Sequence, residues 1–415
     1  MKKKGSNWGK TPWMISFRAK TAALPEHVDF AIVGGGFTGL AAAACLKRLA
    51  PKHSVLLLEA GRVGNGASGR TGGMALAQTA AGNLPGLGDV LKGYQQILRD
   101  LRVDAELELP GVWEIARHEK SMEGKKIHPL TNSPIDWSDS GRVRAVKTVP
   151  GGTINPGKVV AGLARTAALR GAHIEEQAEV FCIEFGNPVR LHIRRKRSSR
   201  EEKKLVCAKR VLLATNAGSL ELSGELFGGR APAEPKLTFA LCTAPLTKKV
   251  LAALGLGSRR PFYSVDLPYL WGRLLKNGRL IVGSGLAPAF GESLKGKSGA
   301  RGGETKHVKD PWSGLQHFDV RRGQAAERLQ SLAARLRKLH PALKNVRIAH
   351  RWGGPILITK DFLPVFRRHP ANENVVVLGG FSGHGVALSV YLGKWAAEVL
   401  CGKRSLPAWG RAVPD

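Results

Sequence analysis

The chain has 415 residues, 43% apolar and 23% charged, which excludes a disordered polymer and is too long for one simple core. Sixty-four Lys and Arg against 32 Asp and Glu give a formal charge of +32, a field that attracts anions, nucleic acid or an acidic membrane surface but says nothing about fold. Five scattered cysteines without a CxxC pair argue against a zinc site or a disulfide framework and suit a reducing cytoplasm.

In chain order, residues 1–27 read as a loose basic arm ending at "LPEH", with no apolar h-region of a secretory signal. Phe30–Leu46 is apolar but holds four glycines and falls short of the roughly 20 residues of a membrane span. From Val28 a strand leads into Gly34-Gly35-Gly36-Phe37-Thr38-Gly39, a small-residue helix (Leu40–Leu49) and a second strand, "HSVLLLEA" (53–60). This order opens a parallel βαβ unit.

Residues 88–118 read as helix, with Val90, Leu91, Tyr94, Ile97, Leu98, Leu101 and Val103 at helical spacing. Another helix spans 156–176, with Gly171 as its stop. A strand and a hairpin with a basic tip, "RRKRSSREEKK" (194–204), lead to "KRVLLATNAGS" (209–219). From 235 to 345 the runs alternate like antiparallel strands, with a flexible basic loop at 295–306 and a long amphipathic helix, "AAERLQSLAARLRKLHPAL". The strand-then-glycine grammar returns only in "NVVVLGGFSGHGVALSV" (374–390).

The first glycine turn carries the most specific chemistry. Gly34 permits the tight bend, Gly36 lets a pyrophosphate approach the backbone, and Gly39 lets helix and strand pack closely. The phosphate would sit on the N–H groups at the helix start. Glu59 ends the next strand about 20 positions after Gly39, the separation at which an acid reaches a ribose hydroxyl, and its charge would repel the ribose phosphate of NADP. The motif does not choose between NAD and FAD. The following segment does: "EAGRVGNGASGRTGGM" (59–74) is small enough to run along a ligand, with backbone donors and Ser68 toward the pyrophosphate.

That segment resembles the second flavin motif of the FAD-dependent amine and D-amino-acid oxidase (DAO) family, in the branch of γ-glutamylputrescine, glycine and sarcosine oxidases. The resemblance continues through "GGTINPGKVVAGLARTAALRGAHI", "VLLATNAGS", "RWGGPILITKDFLPVF" and "VVVLGGFSGHGVA". It implies an α/β fold: a Rossmann-like FAD-binding domain (28–88, 151–234 and 345–405) interrupted by an α+β substrate domain (89–150 and 235–344) with a mixed, largely antiparallel sheet, and a tail at 406–415. It implies FAD held by Gly34, Gly36, Phe37, Thr38, Gly39 and Glu59, then Ala60, Ser68, Gly69, Arg70 and Thr215. The C-terminal loop, Gly380, Gly383, His384 and Gly385, would return to the isoalloxazine ring, where a helix N-terminus favours the negative charge of reduced flavin.

The implied reaction is oxidation of the CH–NH bond of a small amine or amino acid by hydride transfer to flavin N5, followed by imine hydrolysis. Dioxygen, a quinone or an electron-transfer protein would be the acceptor. Arg70, His384, Tyr269 and Arg273 are the expected catalytic residues, Trp271 and Trp352 are further pocket candidates, and Arg273 could hold a carboxylate bidentately. Two departures matter. "RWGGPILITKD" offers no cysteine for flavin attachment, so the FAD is expected to be non-covalent, and Ala387 stands where sarcosine oxidases place a carboxylate-binding lysine. A serine-hydrolase reading of "GFSGH" fails because His384 replaces the last glycine and no triad stands out. Two alternatives follow from the charge: a flavoenzyme of this fold acting on a tRNA-linked amine, or a non-redox nucleotide- or nucleic-acid-binding protein. Neither is accompanied by a recognisable RNA module, and no metal-ligand set is evident.

Overall fold

A computed structural model describes residues 7–117, 126–197, 200–218, 233–285, 287–288 and 318–410. The basic loop expected at 295–306 and hairpin-tip residues 198–199 lie outside them. Contacts divide the chain into two units: Trp13–Leu109, Pro150–Glu234 and Ile356–Asp415, which carries both glycine loops, and Met1–Pro12, Pro110–Val149 and Pro235–Pro355.

The glycine-loop unit is built on a sheet of parallel strands. His27–Val33 lies between Val55–Glu59 and Arg200–Leu213; His173–Glu176 extends one side and Asn372–Gly379 the other. Val365–His369 closes the far edge antiparallel. Runs such as "VLLLE", buried at all but the last position, are what a parallel sheet covered on both faces requires. The 14-residue strand Arg200–Leu213 has three partners: its first part forms the hairpin with Val189–Arg197, and its last part joins the parallel sheet between His27–Val33 and Asn372–Gly379.

The helices Phe37–Leu49 and Gly385–Leu400 pack directly on one another through small residues. A Cβ added to Gly393 would stand 2.6 Å from the Thr38 carbonyl oxygen and 3.1 Å from the Ala41 Cβ. The first helix starts at Phe37, earlier than the Leu40 that periodicity suggests, because Phe37 and Thr38 also point into the core. Pro156–Leu169 is capped by Asn155, which accepts from the Lys158 N–H.

Several expectations are corrected. The helix expected over 156–176 ends at Leu169, and His173–Glu176 is a strand. The helix predicted over 88–118 ends at Asp100. Arg102 at φ 53° turns the chain, and Val112–Ala116 is a strand of the second unit's sheet, as its β-branched and aromatic residues favour. Residues 89–109, placed by sequence with the substrate domain, thus lie in the glycine-loop unit. Nor are the described residues 7–27 of the N-terminal arm loose: Asn7 and Gly9 make bridges to Asp319 and Trp352, and Ile15, Phe17 and Ala19 pack on the core of the glycine-loop unit.

Among the described residues the second unit's sheet is nine-stranded and largely antiparallel. Its centre runs Ala233–Pro245, Arg279–Ser284, Leu270–Leu274, Phe262–Ser264, Val112–Ala116 and Arg142–Val149, with Phe262–Ser264 and Val112–Ala116 parallel. The amphipathic helix expected here is observed at Gly323–Lys338, burying Leu329, Leu332 and Leu336. Among the described residues no helix is long and apolar enough to cross a membrane.

Candidate cofactor site

Three parallel strands end level at one edge of the sheet: Val33 pairs with Leu213, and Leu213 with Val377. The chain continues from these ends into Gly34, Ala214 and the Gly379–Gly385 loop. The two glycine loops, remote in sequence, are separated by one strand, and the turn following that strand touches both. Gly34, at φ 111°, lies so close that an added Cβ would be 2.7 Å from the Ala214 carbonyl oxygen. Asn216, one residue past Thr215, accepts from the Gly380 N–H at 2.9 Å through Oδ1. Carboxyl ends of parallel strands where the strand order reverses are where open α/β sheets take ligands.

The first loop is interlocked with the segment after Glu59. Gly64 N donates to the Gly35 carbonyl at 2.8 Å, and Ser68 Oγ accepts from the Phe37 N–H at 2.9 Å. Gly36 is the N-cap and provides no side-chain acceptor; a Cβ there would meet only Ser68 within 4 Å. Gly39 fits because an added Cβ would be 2.0 Å from the Gly34 carbonyl oxygen. The side chains of Phe37 and Thr38 are buried, so these two residues can serve a ligand only through backbone.

Glu59 is held by two backbone donors, the Gly35 and Gly61 N–H groups, each at 2.8 Å. Burial pushes its carboxyl above the ordinary 4.5, with the two donors opposing. Beyond it, Ala60 is exposed and lines a cavity of about 420 Å³ with Arg62, Asn65, Gln177 and Arg194. The Gly69 carbonyl accepts from the Trp13 indole N–H at 2.9 Å. Arg70 reaches back to Asn65, with Nε to the carbonyl and Nη2 to Oδ1, both at 3.0 Å. Burial lowers its pKa to about 10, which leaves it a cation at neutral pH.

The second loop has left-handed backbone at Gly380, Ser382 and Gly383. For Ser382 that conformation is supported by its own contacts: Oγ accepts from the Thr359 N–H at 3.1 Å and lies 3.0 Å from Thr359 Oγ1, while its N–H donates to the Leu357 carbonyl. His384 is the N-cap of Gly385–Leu400 and, like Gly36, does not cap with its side chain. Burial holds its imidazole below 6.5, so it is neutral at neutral pH. Thr359, Ser382 and Asn216 were missed by sequence reasoning. The available signals were the Thr-x-Asp of "ITKD" and the Asn of "ATNAG", both within segments already singled out.

Tyr269, Trp271 and Arg273 sit together in the second unit. They alternate along or just before Leu270–Leu274, so they share a face with Gly283 and Ile281 across the ladder. The Trp271 indole lies against Gly283, where an added Cβ would be 2.0 Å from the ring. On the other neighbour Tyr263 donates to Glu114 Oε1 at 2.8 Å. Burial raises the Tyr269 phenol to about 12, and Arg273 is buried. Trp352 is buried in this unit too, beside the bridge to Gly9. The structure thus gathers Gly34 through Arg70, Thr215 and Gly380 through Gly385 in one unit, and Tyr269, Trp271 and Arg273 in the other. In the basic hairpin, Arg190 pairs with Glu184, and Arg194 with Glu179 and Glu201, so part of the charge there is locally neutralised.

Comparison with known proteins adds three findings. The family described as DAO, FAD dependent oxidoreductase, matches residues 29–399. The chain is 26% identical to a probable oxidoreductase OrdL of Rhizobium meliloti, over 91% of this chain and 84% of that one. It is 27% identical to the γ-glutamylputrescine oxidoreductase of Escherichia coli, over 90% and 84%. Among solved structures, the glycine oxidase from Geobacillus kaustophilus has the same fold, with a TM-score of 0.65 at 20% identity, covering 92% of this chain and 96% of that one.

Proposed function

Because the chain belongs to the DAO family of FAD-dependent oxidoreductases, we propose that it oxidises the CH–NH bond of a small amine or amino acid, with FAD held non-covalently by the glycine-loop unit and substrate by the second. The observation that carries this reading is the placement of two glycine loops at one sheet edge, one strand apart, each opening a helix whose N-cap makes no side-chain capping bond. The residues fit the group. Helix-start amides lack intrahelical acceptors and favour an anion, Gly36 keeps its approach open, and Glu59 stands fixed at the neighbouring strand end.

When bound, FAD supplies the two-electron acceptor. In this reading the turn of Gly34, Gly36, Phe37, Thr38 and Gly39 orients the pyrophosphate through the amides of Gly36, Thr38 and Gly39, the Gly34 and Phe37 amides being engaged by the Leu58 carbonyl and Ser68 Oγ, with Ser68, Gly69 and Arg70 closing over it and Thr215 beside it. Glu59 accepts from the ribose, and Ala60 borders the adenosine end. Gly380, Gly383, His384 and Gly385 direct a helix N-terminus at the site where negative charge develops. A neutral His384 adds no charge at its end of the glycine-loop unit; within the second unit a protonated Tyr269 can donate to a substrate and Arg273 can hold a carboxylate. Non-covalent attachment is supported by the sequence: none of the five cysteines falls within 34–39, 59–70, 214–218 or 351–385. The names of the relatives, a γ-glutamylputrescine oxidoreductase and a glycine oxidase, support the amine or amino-acid class; the acceptor in this reading is dioxygen, a quinone or an electron-transfer protein, and the setting cytoplasmic.

The purified protein is expected to be yellow and to release all flavin to the supernatant on denaturation. Anaerobic addition of γ-glutamylated diamines or amino acids should bleach it, and air or a quinone should restore the colour. A colourless protein that takes up no FAD overturns the reading.

Glu59 gives a prediction with a sign. Its raised pKa means the charged form, the better acceptor for ribose hydroxyls, is present above that value and lost as pH falls through it. FAD affinity should therefore begin to fall at a pH above the ordinary 4.5. Glu59→Gln should flatten that dependence and weaken binding at neutral pH by about tenfold, as loss of a charge-assisted hydrogen bond does. Titration of flavin into apoprotein across pH checks both.

A further inference from the structure

Residues 13–20 alternate strictly: Trp13, Ile15, Phe17 and Ala19 are half-buried, and Met14, Ser16, Arg18 and Lys20 are exposed. The first two inward side chains meet the loop 61–70. The Trp13 indole N–H donates to the Gly69 carbonyl at 2.9 Å, while the Arg70 N–H of that same peptide donates to the Ala67 carbonyl at 3.1 Å. One peptide plane is thus held from both sides, and Arg70 with it. Ile15 Cδ1 lies against two loop glycines, so that a Cβ added to Gly64 or Gly69 would come within 2.7 or 3.0 Å of it. Glu176 then spans loop and segment, accepting from Val63 N at 2.8 Å and Ala19 N at 3.4 Å. The segment is itself anchored: the Met14 carbonyl lies where only a glycine, Gly157, fits beside it, and Arg165 donates to the Ser16 carbonyl at 3.2 Å.

We propose that Trp13 and Ile15 are positioning residues for the cofactor loop, so that affinity for FAD depends on a segment lying upstream of the whole dinucleotide fold. This rests on the FAD-binding reading above. The loop "GRVGNGASGR" has four glycines and would lose much conformational freedom on closing over a ligand. A brace that fixes its carbonyls and packs its glycines beforehand removes part of that cost.

The test uses full-length Trp13→Phe and Ile15→Ala, with Ile15→Val as the conservative variant and Met14→Ala as a control whose side chain is exposed. Flavin is stripped, FAD is titrated back by fluorescence quenching, and thermal unfolding of each apoprotein is measured separately. Trp13→Phe and Ile15→Ala should each raise the FAD Kd by roughly 3- to 10-fold, the scale of one lost hydrogen bond or packing contact, while Ile15→Val and Met14→Ala bind as the parent does. Equal Kd values for Trp13→Phe and the parent overturn the proposal, as does an equal loss in Met14→Ala. A parent that takes up no FAD defeats the functional reading first, and a parent that binds with unaffected variants defeats only this inference. Should Ile15→Ala fail to fold, Trp13→Phe, which keeps an aromatic ring but not the indole N–H, decides alone.

Discussion

Gly39→Ala should give a colourless protein with a clearly lowered thermal midpoint, whereas Gly36→Ala should give one that is colourless but nearly as stable as the parent. Both positions belong to the same turn, and the difference lies in what an added methyl meets. At Gly39 it would be 2.0 Å from the Gly34 carbonyl oxygen and 3.1 Å from Ile32 Cγ2. Backbone cannot yield as a side chain can, so the helix must back away from the strand. Alanine would improve helix propensity by about 1 kcal/mol, but overpacking of a tight contact costs about 1–3 kcal/mol or more, and an overlap this deep belongs at the upper end. At Gly36 the methyl would meet only the Ser68 hydroxyl, 2.9 Å away, which can rotate at the expense of its bond to Phe37 N. The fold survives, and what is lost is the approach of the pyrophosphate to bare backbone. Thermal unfolding of the apoproteins and FAD titration separate the two. A flavin-replete Gly36→Ala would show that no dinucleotide lies against that residue.

The glycine turn was legible because its constraints are local. A tight bend, a close approach and an acid at the end of the next strand all leave marks within one βαβ unit. The fold class followed from the same grammar and from the family resemblance. What failed was the reading of segments whose conformation is decided by partners distant in sequence. Residues 101–118 continue a helical spacing through Val103, yet Arg102 turns left-handed and the chain leaves for another sheet. Nothing in the spacing announces that, although Pro110 and Gly111 mark the place. The N-terminal arm was overlooked for the opposite reason. "WMISFRAK" carries a period of two, the mark of an extended segment with one buried face, but its cations equally suit a solvated arm. Thr359, Ser382 and Asn216 form contacts across 23 and 164 positions, and pairs of that kind have no sequence period.

The same is true of the feature with the largest expected effect on stability. Arg117 is completely buried, with Asp139 and Asp266 nearly so. Its guanidinium donates to the Asp139 carbonyl through Nε at 2.7 Å, to the Asp139 carboxylate through Nη2, and to Asp266 Oδ1 through Nη1 at 2.5 Å. Asp139 is also held by Arg335, through Nε at 2.9 Å and Nη2 at 2.6 Å. Arg335 in turn donates to the carbonyls of Pro268 and Tyr269, so the cluster ends on a proposed substrate residue. Arg117→Met removes one cation, takes the guanidinium away from buried Asp266 and leaves the Asp139 carboxylate to Arg335, a loss of about 3–5 kcal/mol for a broken buried pair. Arg335→Met should cost less, because Asp139 keeps Arg117, but it frees the Tyr269 carbonyl and should raise KM more than it lowers kcat.

The dependence on pH distinguishes a lost ion pair from lost packing. Burial pushes the Asp139 carboxyl up, but hydrogen bonds from Arg335 and Arg117 prevail and hold it below its ordinary 3.8. A depressed carboxyl contributes stability that is present above 3.8 and lost as pH falls through the folded value. Without Arg117 the Asp139 carboxylate is held less strongly against burial and takes up its proton at higher pH, which relieves part of the uncompensated charge. The gap between parent and Arg117→Met, read from denaturant unfolding, should therefore be widest near neutrality and narrow on acidification. A gap that stays constant down to acid pH, or never exceeds about 1 kcal/mol, would mean that the guanidinium acts there as mere bulk.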